Sequence, residues 1–294
     1  RPRGDGAFRI RCTSTNGTKQ VRLISQLECT ARGFGKLFKD PYQFISAGLY
    51  DDANDGIGPG NEQGIATSRD MTTIVGFHDI DFGSDGSDTI HIPIFTLSNE
   101  AYRFQIWQGY PEQEGSVLLG DLVYQKKSIW NVYQEATYRL HHRLRLVTSL
   151  YFVTHAKMHI KGFYFEKQNR STTKIKAQEF DELYGDTYTI TEWGITDIGN
   201  NVTITFRDLH FQNRLPHTIT IFGRSKTDRN SIHLKLVYQG IEQIQLIEFA
   251  YSESPVQRSF PLSSLPENLQ SLELQVSFIF LPGSSFDFGW FQFE

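Results

Sequence analysis

Apolar and polar residues alternate over short stretches along most of the chain, and helical periodicity is nearly absent. Such alternation is typical of β-strands that bury one face and leave the other in water. Turns rich in Gly, Asn, Pro and Asp separate the stretches, and the Asn-Gly pair within residues 14–19 favours a tight hairpin. The pattern therefore predicts an all-β protein built from β-sandwiches.

The chain contains an internal sequence repeat. Residues 44–51 align with residues 174–181, and several further segments align in the same order. The repeat predicts two tandem sandwiches, 40–167 and 168–294, of which the second is the more diverged copy. Residues 1–39 lie outside the repeat, and we interpret them as the terminal strands of a preceding Ig-like β domain. Matched aromatic positions are predicted to lie in the two cores: Phe77, Phe82, Phe206 and Phe211.

Composition narrows the classes of partner. The net charge of −4 gives no reason to expect binding to nucleic acid. No run of apolar residues is long enough for membrane insertion. Aromatic residues make up 14% of the chain, and exposed aromatic rings favour ligands with flat apolar faces, such as sugar rings.

An acidic loop at residues 51–62 nearly matches a calcium-binding loop, with Asp51, Asp55 and Glu62 as candidate ligands. Its flanks are predicted strands, whereas a calcium loop of this type lies between helices. The second copy, residues 181–192, keeps only the Asp and Glu at the two ends. Two interpretations therefore stay open: a Ca²⁺ site, or framework positions that cap backbone N–H groups.

The run "GNEQGIATSRD…VGFHDIDFGSDGSDTIHIPIF…FQIWQG" resembles the C-terminal region of bacterial glycoside hydrolase family 2 enzymes of the β-galactosidase type. Within each copy, the order of "F-x-D-x-D-F-G", "SIWNVYQEATYRL", "LYFV" and "GFYF" resembles a family 6 carbohydrate-binding module. The resemblance implies jelly-roll sandwiches and a non-catalytic, carbohydrate-binding region of a larger enzyme. The resemblance implies that this region requires no cofactor. The partners of the region would be a glycan and the catalytic domain of the larger parent enzyme. Localisation stays open between secreted and cytoplasmic.

The resemblance also implies site residues. The binding tryptophan of the family falls in residues 128–133, and the other positions fall near the ends of strands. The implied carbohydrate-binding residues are Trp130, Tyr133, Tyr50 and His159 in the first copy, and Tyr184, Tyr188 and Asp287 in the second. The family's structural calcium positions hold Gly48 and Lys161 in one copy and Gln178 and Gly289 in the other, so that site is expected to be lost.

Three alternatives accompany these predictions. Trp130 is either an exposed ligand contact or a partly buried residue that closes the end of its sandwich. The Asn-Glu pairs at 61–62 and 99–100 resemble a dipeptide of some glycosidases. Catalysis of that type needs two carboxylates held in a barrel of β-α units, and the sequence shows no alternation of strand and helix patterns. Finally, the whole region is either glycan-binding or purely structural, supporting a catalytic domain or an oligomer.

Overall fold

The computed structural model describes residues 38–212, 215–263, 265 and 271–294, together with the backbone of β1 (Arg11–Asn16) and β2 (Lys19–Ile24). β1 and β2 pair antiparallel from Asn16↔Lys19 to Arg11↔Ile24, so the chain reverses within the predicted hairpin. Most of the predicted preceding domain, 1–39, lies outside the described residues, and its assignment stays a prediction. The chain divides into two compact units.

Unit 1 comprises the described residues up to Gly83 together with Ser87–Glu166. Besides β1 and β2, its strands are β3 (Ile45–Ser46), β4 (Asp52–Ala53), β5 (Ile57–Pro59), β6 (Ile65–Thr67), β7 (Thr73–Asp81), β8 (Ser87–Thr96), β9 (Tyr102–Gln108), β10 (Val117–Tyr124), β11 (Gln134–Leu144), β12 (Val147–Thr154), β13 (Met158–Ile160) and β14 (Gly162–Phe165). One sheet has the order β10-β9-β12-β7-β4 and the other β3-β14-β8-β13-β6-β5, with β11 also paired to β8. Two short 3₁₀ helices, Ala47–Leu49 and Asn61–Gln63, lie between the early strands.

Unit 2 comprises Ser84–Gly86 and Lys167–Glu294. Its strands are β15 (Ile175–Lys176), β16 (Glu182–Tyr184), β17 (Thr189–Ile190), β18 (Ile195–Ile198), β19 (Thr203–Gln212), β20 (Thr218–Ser225), β21 (Arg229–Tyr238), β22 (Ile241–Ala250), β23 (Val256–Pro261), β24 (Ser271–Phe280) and β25 (Phe286–Phe293). The sheets have the orders β17-β18-β25-β20-β23, with β15 on β25, and β16-β19-β24-β21-β22. The 3₁₀ helices are Arg170–Thr172 and Ala177–Glu179.

The same aromatic contact joins the two sheets of each unit. In unit 1 the rings of Phe77 and Phe163 meet edge to face with centroids 4.9 Å apart, and in unit 2 Phe206 and Phe291 meet at 4.7 Å. Full burial of one such side chain contributes roughly 1.5–3 kcal/mol. The four aromatic residues predicted to lie in the cores are all buried. The predicted all-β fold of two tandem sandwiches is therefore confirmed.

A β-bulge is repeated as well. Asp79 on β7 and Asp208 on β19 have φ angles of 56° and 55°, and each lies where the register with the neighbouring strand shifts. Aspartate adopts this left-handed conformation more readily than most residues, which explains why "F-x-D" recurs at both places.

Pairing within unit 1 places several loops at one end of its sandwich. β13 pairs with both β6 and β8, so the loops 68–72, 97–101 and 155–157, which adjoin these strands, lie at the same end. The loop 125–133 joins them through hydrogen bonds from Ser128 to Thr96 and Asn99. Among the described residues, no helix is long and apolar enough to cross a membrane.

Candidate functional site

Trp130 lies in a tight turn at this end of unit 1. The N–H of Val132 donates to the carbonyl of Ile129 (3.1 Å), and Asn131 takes a φ of 57°, as the third residue of a type II turn requires. The indole is 77% exposed and packs edge to face against Phe95, with centroids 5.8 Å apart. Trp130 is therefore exposed on a fixed turn and does not close the sandwich end.

Phe95 on β8 brings three of the predicted site residues together. The ring of His159 stacks on the buried Phe95 ring at 4.5 Å, because the two residues are opposite one another in the β13–β8 ladder. Tyr133 contacts another side of the Phe95 ring, with centroids 5.8 Å apart and planes at 90°. We call Phe95, Trp130, Tyr133 and His159 the Trp130 cluster.

The 3₁₀ turn Asn61–Gln63 contacts this cluster from a distant part of the sequence. The hydroxyl of Tyr133 donates to the carbonyl of Asn61 (3.0 Å), and the amide of Asn61 donates to the side-chain oxygen of Asn131. Glu62 forms an ion pair with Lys161 (2.6 Å). Asn131 was not among the predicted site residues, although its place beside Trp130 in the sequence is a signal that was available.

The cluster is electrically neutral at its centre. Burial lowers the pKa of the His159 imidazole below its ordinary value, and nearby Lys157 lowers it further. Burial raises the pKa of Tyr133, and the charge of Glu62 adds to that shift. A neutral imidazole, a protonated phenol, two amides and an exposed indole can stack against an apolar ring face and exchange hydrogen bonds with hydroxyl groups.

Tyr50 lies outside the Trp130 cluster. It is 41% exposed and lines a cavity of about 480 Å³, which we call the Tyr50 cavity. The other lining residues are Ser46, Gly48, Leu49, 57–60 and 63–65. The cavity thus includes Gln63, the last residue of the turn that contacts the cluster.

The three candidate calcium ligands are not brought together. The carboxylate of Asp51 accepts the N–H of His78 (2.7 Å) and an ammonium hydrogen bond from Lys39 (2.6 Å). Asp55 is exposed, and Glu62 binds Lys161. Within the described part of the chain, no group of three possible metal ligands is found.

The framework interpretation holds for the aspartate that begins the loop in each copy, Asp51 in unit 1 and Asp181 in unit 2. Asp181 in unit 2 accepts the N–H of Arg207 (2.7 Å), as Asp51 accepts that of His78 in unit 1. Both bonds hold the start of the loop to the neighbouring long strand. Glu62, at the other end of the loop, forms an ion pair with Lys161 instead.

The candidate residues of unit 2 are dispersed. Tyr184 is 77% exposed on β16, whereas Tyr188 packs against the core. Asp287 is buried, where it accepts the N–H of Asp197 (2.9 Å) and pairs with Lys226 (2.8 Å). Burial opposes the charge on Lys226, but its bonds to Asp197 and Asp287 outweigh burial and raise its pKa. Asp287 thus has a framework role, whereas His159 lies in the Trp130 cluster.

The fold and this site define an all-β chain of two sandwiches, the first of which carries an aromatic cluster with an exposed tryptophan. No protein-family model matches the chain. No curated protein matches it significantly either.

Solved carbohydrate-binding modules are similar in structure. A family 6 module from Clostridium stercorarium in complex with cellobiose is 19% identical, with a TM-score of 0.39, over 45% of this chain and 98% of that one. A β-1,3-glucan-binding family 6 module from Bacillus halodurans is 22% identical, with a TM-score of 0.37, over 44% and 99%. A tandem of family 22 modules from Paenibacillus barcinonensis is 8% identical, with a TM-score of 0.29, over 89% and 99%. Likeness at this level does not assign a ligand to this chain.

Proposed function

We propose that this chain is a non-catalytic glycan-binding region and that the loops at one end of the first sandwich bind the glycan. The observation that carries the proposal is the Trp130 indole, exposed to water yet fixed by its turn and by Phe95. A pyranose ring has an apolar C–H face that stacks on such a surface, and its hydroxyls need polar neighbours. His159, Asn61 and Asn131 supply polar groups around the cluster.

Binding of this kind is expected to be weak. One exposed ring and a few hydrogen bonds to hydroxyl groups must offset the hydration of the sugar and the loss of its motion. Affinities of roughly micromolar to millimolar are therefore expected. The resemblance to β-galactosidase-type enzymes makes a larger glycoside hydrolase the proposed parent, in which this region accompanies a catalytic domain.

The test is calorimetric titration with a glycan panel that includes cello-oligosaccharides, β-1,3-gluco-oligosaccharides and β-galactosides. The wild-type chain is expected to bind at least one member, and Trp130→Ala is expected to weaken that binding by roughly tenfold or more. Tyr251→Ala is the matched control, since Tyr251 is an exposed aromatic residue in unit 2 outside the candidate positions. Equal binding by wild type and Trp130→Ala would remove the cluster from the site. Absence of binding by the wild type would overturn the glycan role.

A second function is favoured by two apolar neighbours of Trp130. Ile129 and Val132 are also exposed, so the turn presents a small apolar patch of the kind found in protein interfaces. In this alternative the region supports the catalytic domain or an oligomer and binds no sugar. Ile129→Ser with Val132→Ser in the full-length parent distinguishes the two functions. Dissociation of the parent with unchanged polysaccharide binding favours the structural role, and an intact assembly counts against it.

A further inference from the structure

The strand β22 (Ile241–Ala250) lies at the edge of a sheet in unit 2 and, among the described residues, pairs with β21 alone. All ten of its residues are in register with β21, from Tyr238↔Ile241 to Arg229↔Ala250. In an antiparallel edge strand, every second residue turns its N–H and C=O groups away from the neighbouring strand, where another strand can bind them. β22 therefore presents a long and regular edge.

The other edge strands of the larger sheets carry features that discourage pairing with another chain. Six of them have only two or three residues: β3, β4, β5, β15, β16 and β17. β23 has six residues and ends in Pro261, and β10 and β11 are broken by shifts in register. Short length, proline and bulges all protect a sheet edge, as do Lys and Arg side chains. β22 has none of these features.

The outward side chains of β22 form a symmetrical pattern. Because successive side chains of a strand point to opposite faces, Glu242, Ile244, Leu246 and Glu248 share one face. Ile244 is 56% exposed and Leu246 is 52% exposed, and the two flank Gln245. The order on this face is thus acidic, apolar, apolar, acidic in both chain directions.

Both glutamates already have a cation from β21. Lys235 binds Glu242 at 2.7 Å, and Arg229 binds Glu248 at 3.4 Å. A second strand that covers this face would therefore bury no unpaired carboxylate, which is the costly case. The surface that gains from being covered is the apolar pair between the glutamates.

We propose that β22 pairs antiparallel with β22 of a second copy of the chain, about a two-fold axis at Gln245. A two-fold contact needs a self-complementary surface, and the pattern about Gln245 supplies one. Ile244 then faces Leu246 of the second copy, and the glutamates face one another with a cation beside each. A shift of two residues in either direction would place an apolar side chain opposite a glutamate. The pairing concerns unit 2 and does not depend on glycan binding by unit 1.

The contact is expected to be weak. Protein interfaces of standard size use roughly 20–30 residues from each partner, whereas β22 has ten. A dissociation constant of roughly ten micromolar to one millimolar is therefore expected.

Sedimentation velocity of the full chain over about 10 μM to 1 mM measures this equilibrium. Ile244→Thr with Leu246→Thr is expected to weaken the dimer by roughly tenfold or more, because threonine keeps the strand preference but removes apolar surface. The matched control is Val117→Thr with Val123→Thr, which changes two exposed apolar residues of edge strand β10 and should leave the dimer unchanged. A wild type that stays monomeric throughout would overturn the proposal, and so would a dimer that neither double variant weakens.

Cysteine substitution tests the register. In a background of Cys12→Ser and Cys29→Ser, Gln245→Cys faces its own copy across the axis, and opposite Cα atoms about 4.5–5.5 Å apart suit a disulfide. Gln243→Cys is the matched control, since both glutamines are half-buried on the same face of β22. Its copy would lie four residues along the second strand, roughly 13 Å away. Oxidation is expected to cross-link the chain with Gln245→Cys and not the chain with Gln243→Cys. Equal cross-linking at both positions, or none at Gln245→Cys, would overturn the pairing.

Discussion

Asp51 and Asp181 occupy matched positions in the repeat, and each forms an ion pair with a basic side chain. The two basic side chains differ in burial. Lys39 binds Asp51 at 2.6 Å in a partly exposed pair. Arg170 binds Asp181 at 3.4 Å, and its side chain is completely buried in unit 2. The guanidinium also donates to the carbonyls of Glu179 (2.5 Å) and Arg207 (3.3 Å). The basic partner of this framework aspartate is therefore partly exposed in unit 1 and completely buried in unit 2.

Replacing Arg170 with Met keeps most of the volume but removes the buried donors. Breaking a buried, hydrogen-bonded charge pair costs about 3–5 kcal/mol. The corresponding Lys39→Met change breaks a partly exposed pair, for which about 0.2–1 kcal/mol is expected. Arg170→Lys restores the charge without the fork of donors, so an intermediate loss is expected.

The assay is urea unfolding followed by tryptophan fluorescence and circular dichroism, with the two units fitted as separate transitions. Arg170→Met is expected to lower the midpoint of the unit 2 transition by roughly 2 M urea, with little change in its slope. Trp193 and Trp290 report on that unit. If Arg170→Met lowers the free energy of unfolding no more than Lys39→Met does, burial does not determine how much each ion pair contributes to stability, and the argument is refuted.

Three further predictions concern unit 1. Because burial lowers the pKa of His159, its contribution to stability is complete above about pH 6.5, the ordinary pKa of histidine, and declines below it. His159→Gln should therefore flatten the dependence of the unfolding free energy on pH below that value, and an unchanged slope would contradict this. Tyr133→Phe removes the bond to Asn61 and should cost about 1 kcal/mol in urea unfolding; a neutral result would mean that the bond contributes nothing. Chelation with EDTA should leave the thermal midpoint unchanged, because Asp51 and Glu62 bind lysines; a fall would restore the calcium interpretation.

The strands and the cores could be predicted from the sequence, because burial on one face of a strand leaves a period of two in the chain. Phe77 and Phe206 were recognisable as core residues from their matched places in the repeat, and both are buried. The shared aspartates could be recognised in the same way. In both units the carboxylate holds the loop to a neighbouring strand.

The arrangement of the site was harder to predict from the sequence than the fold. Trp130 and His159 were predicted individually, but their common contact with Phe95 depends on the pairing of β13 with β8. Tyr50 was predicted to share a carbohydrate-binding site with Trp130, yet it lies outside the Trp130 cluster and lines a cavity. Asn61 is 70 residues from Asn131, and no local pattern marks a hydrogen bond between them.

The sequence by itself determined the class of fold, its duplication and the residues of the two cores, since these follow from the periodicity of apolar side chains and from the repeat. Tertiary structure alone decided which polar residues meet. It brought Asn61 to the turn that carries Trp130, paired Glu62 with Lys161 and separated the acidic side chains that had resembled a calcium loop. The physical reason is that contacts between loops depend on strand order and register, which place residues distant in the sequence side by side.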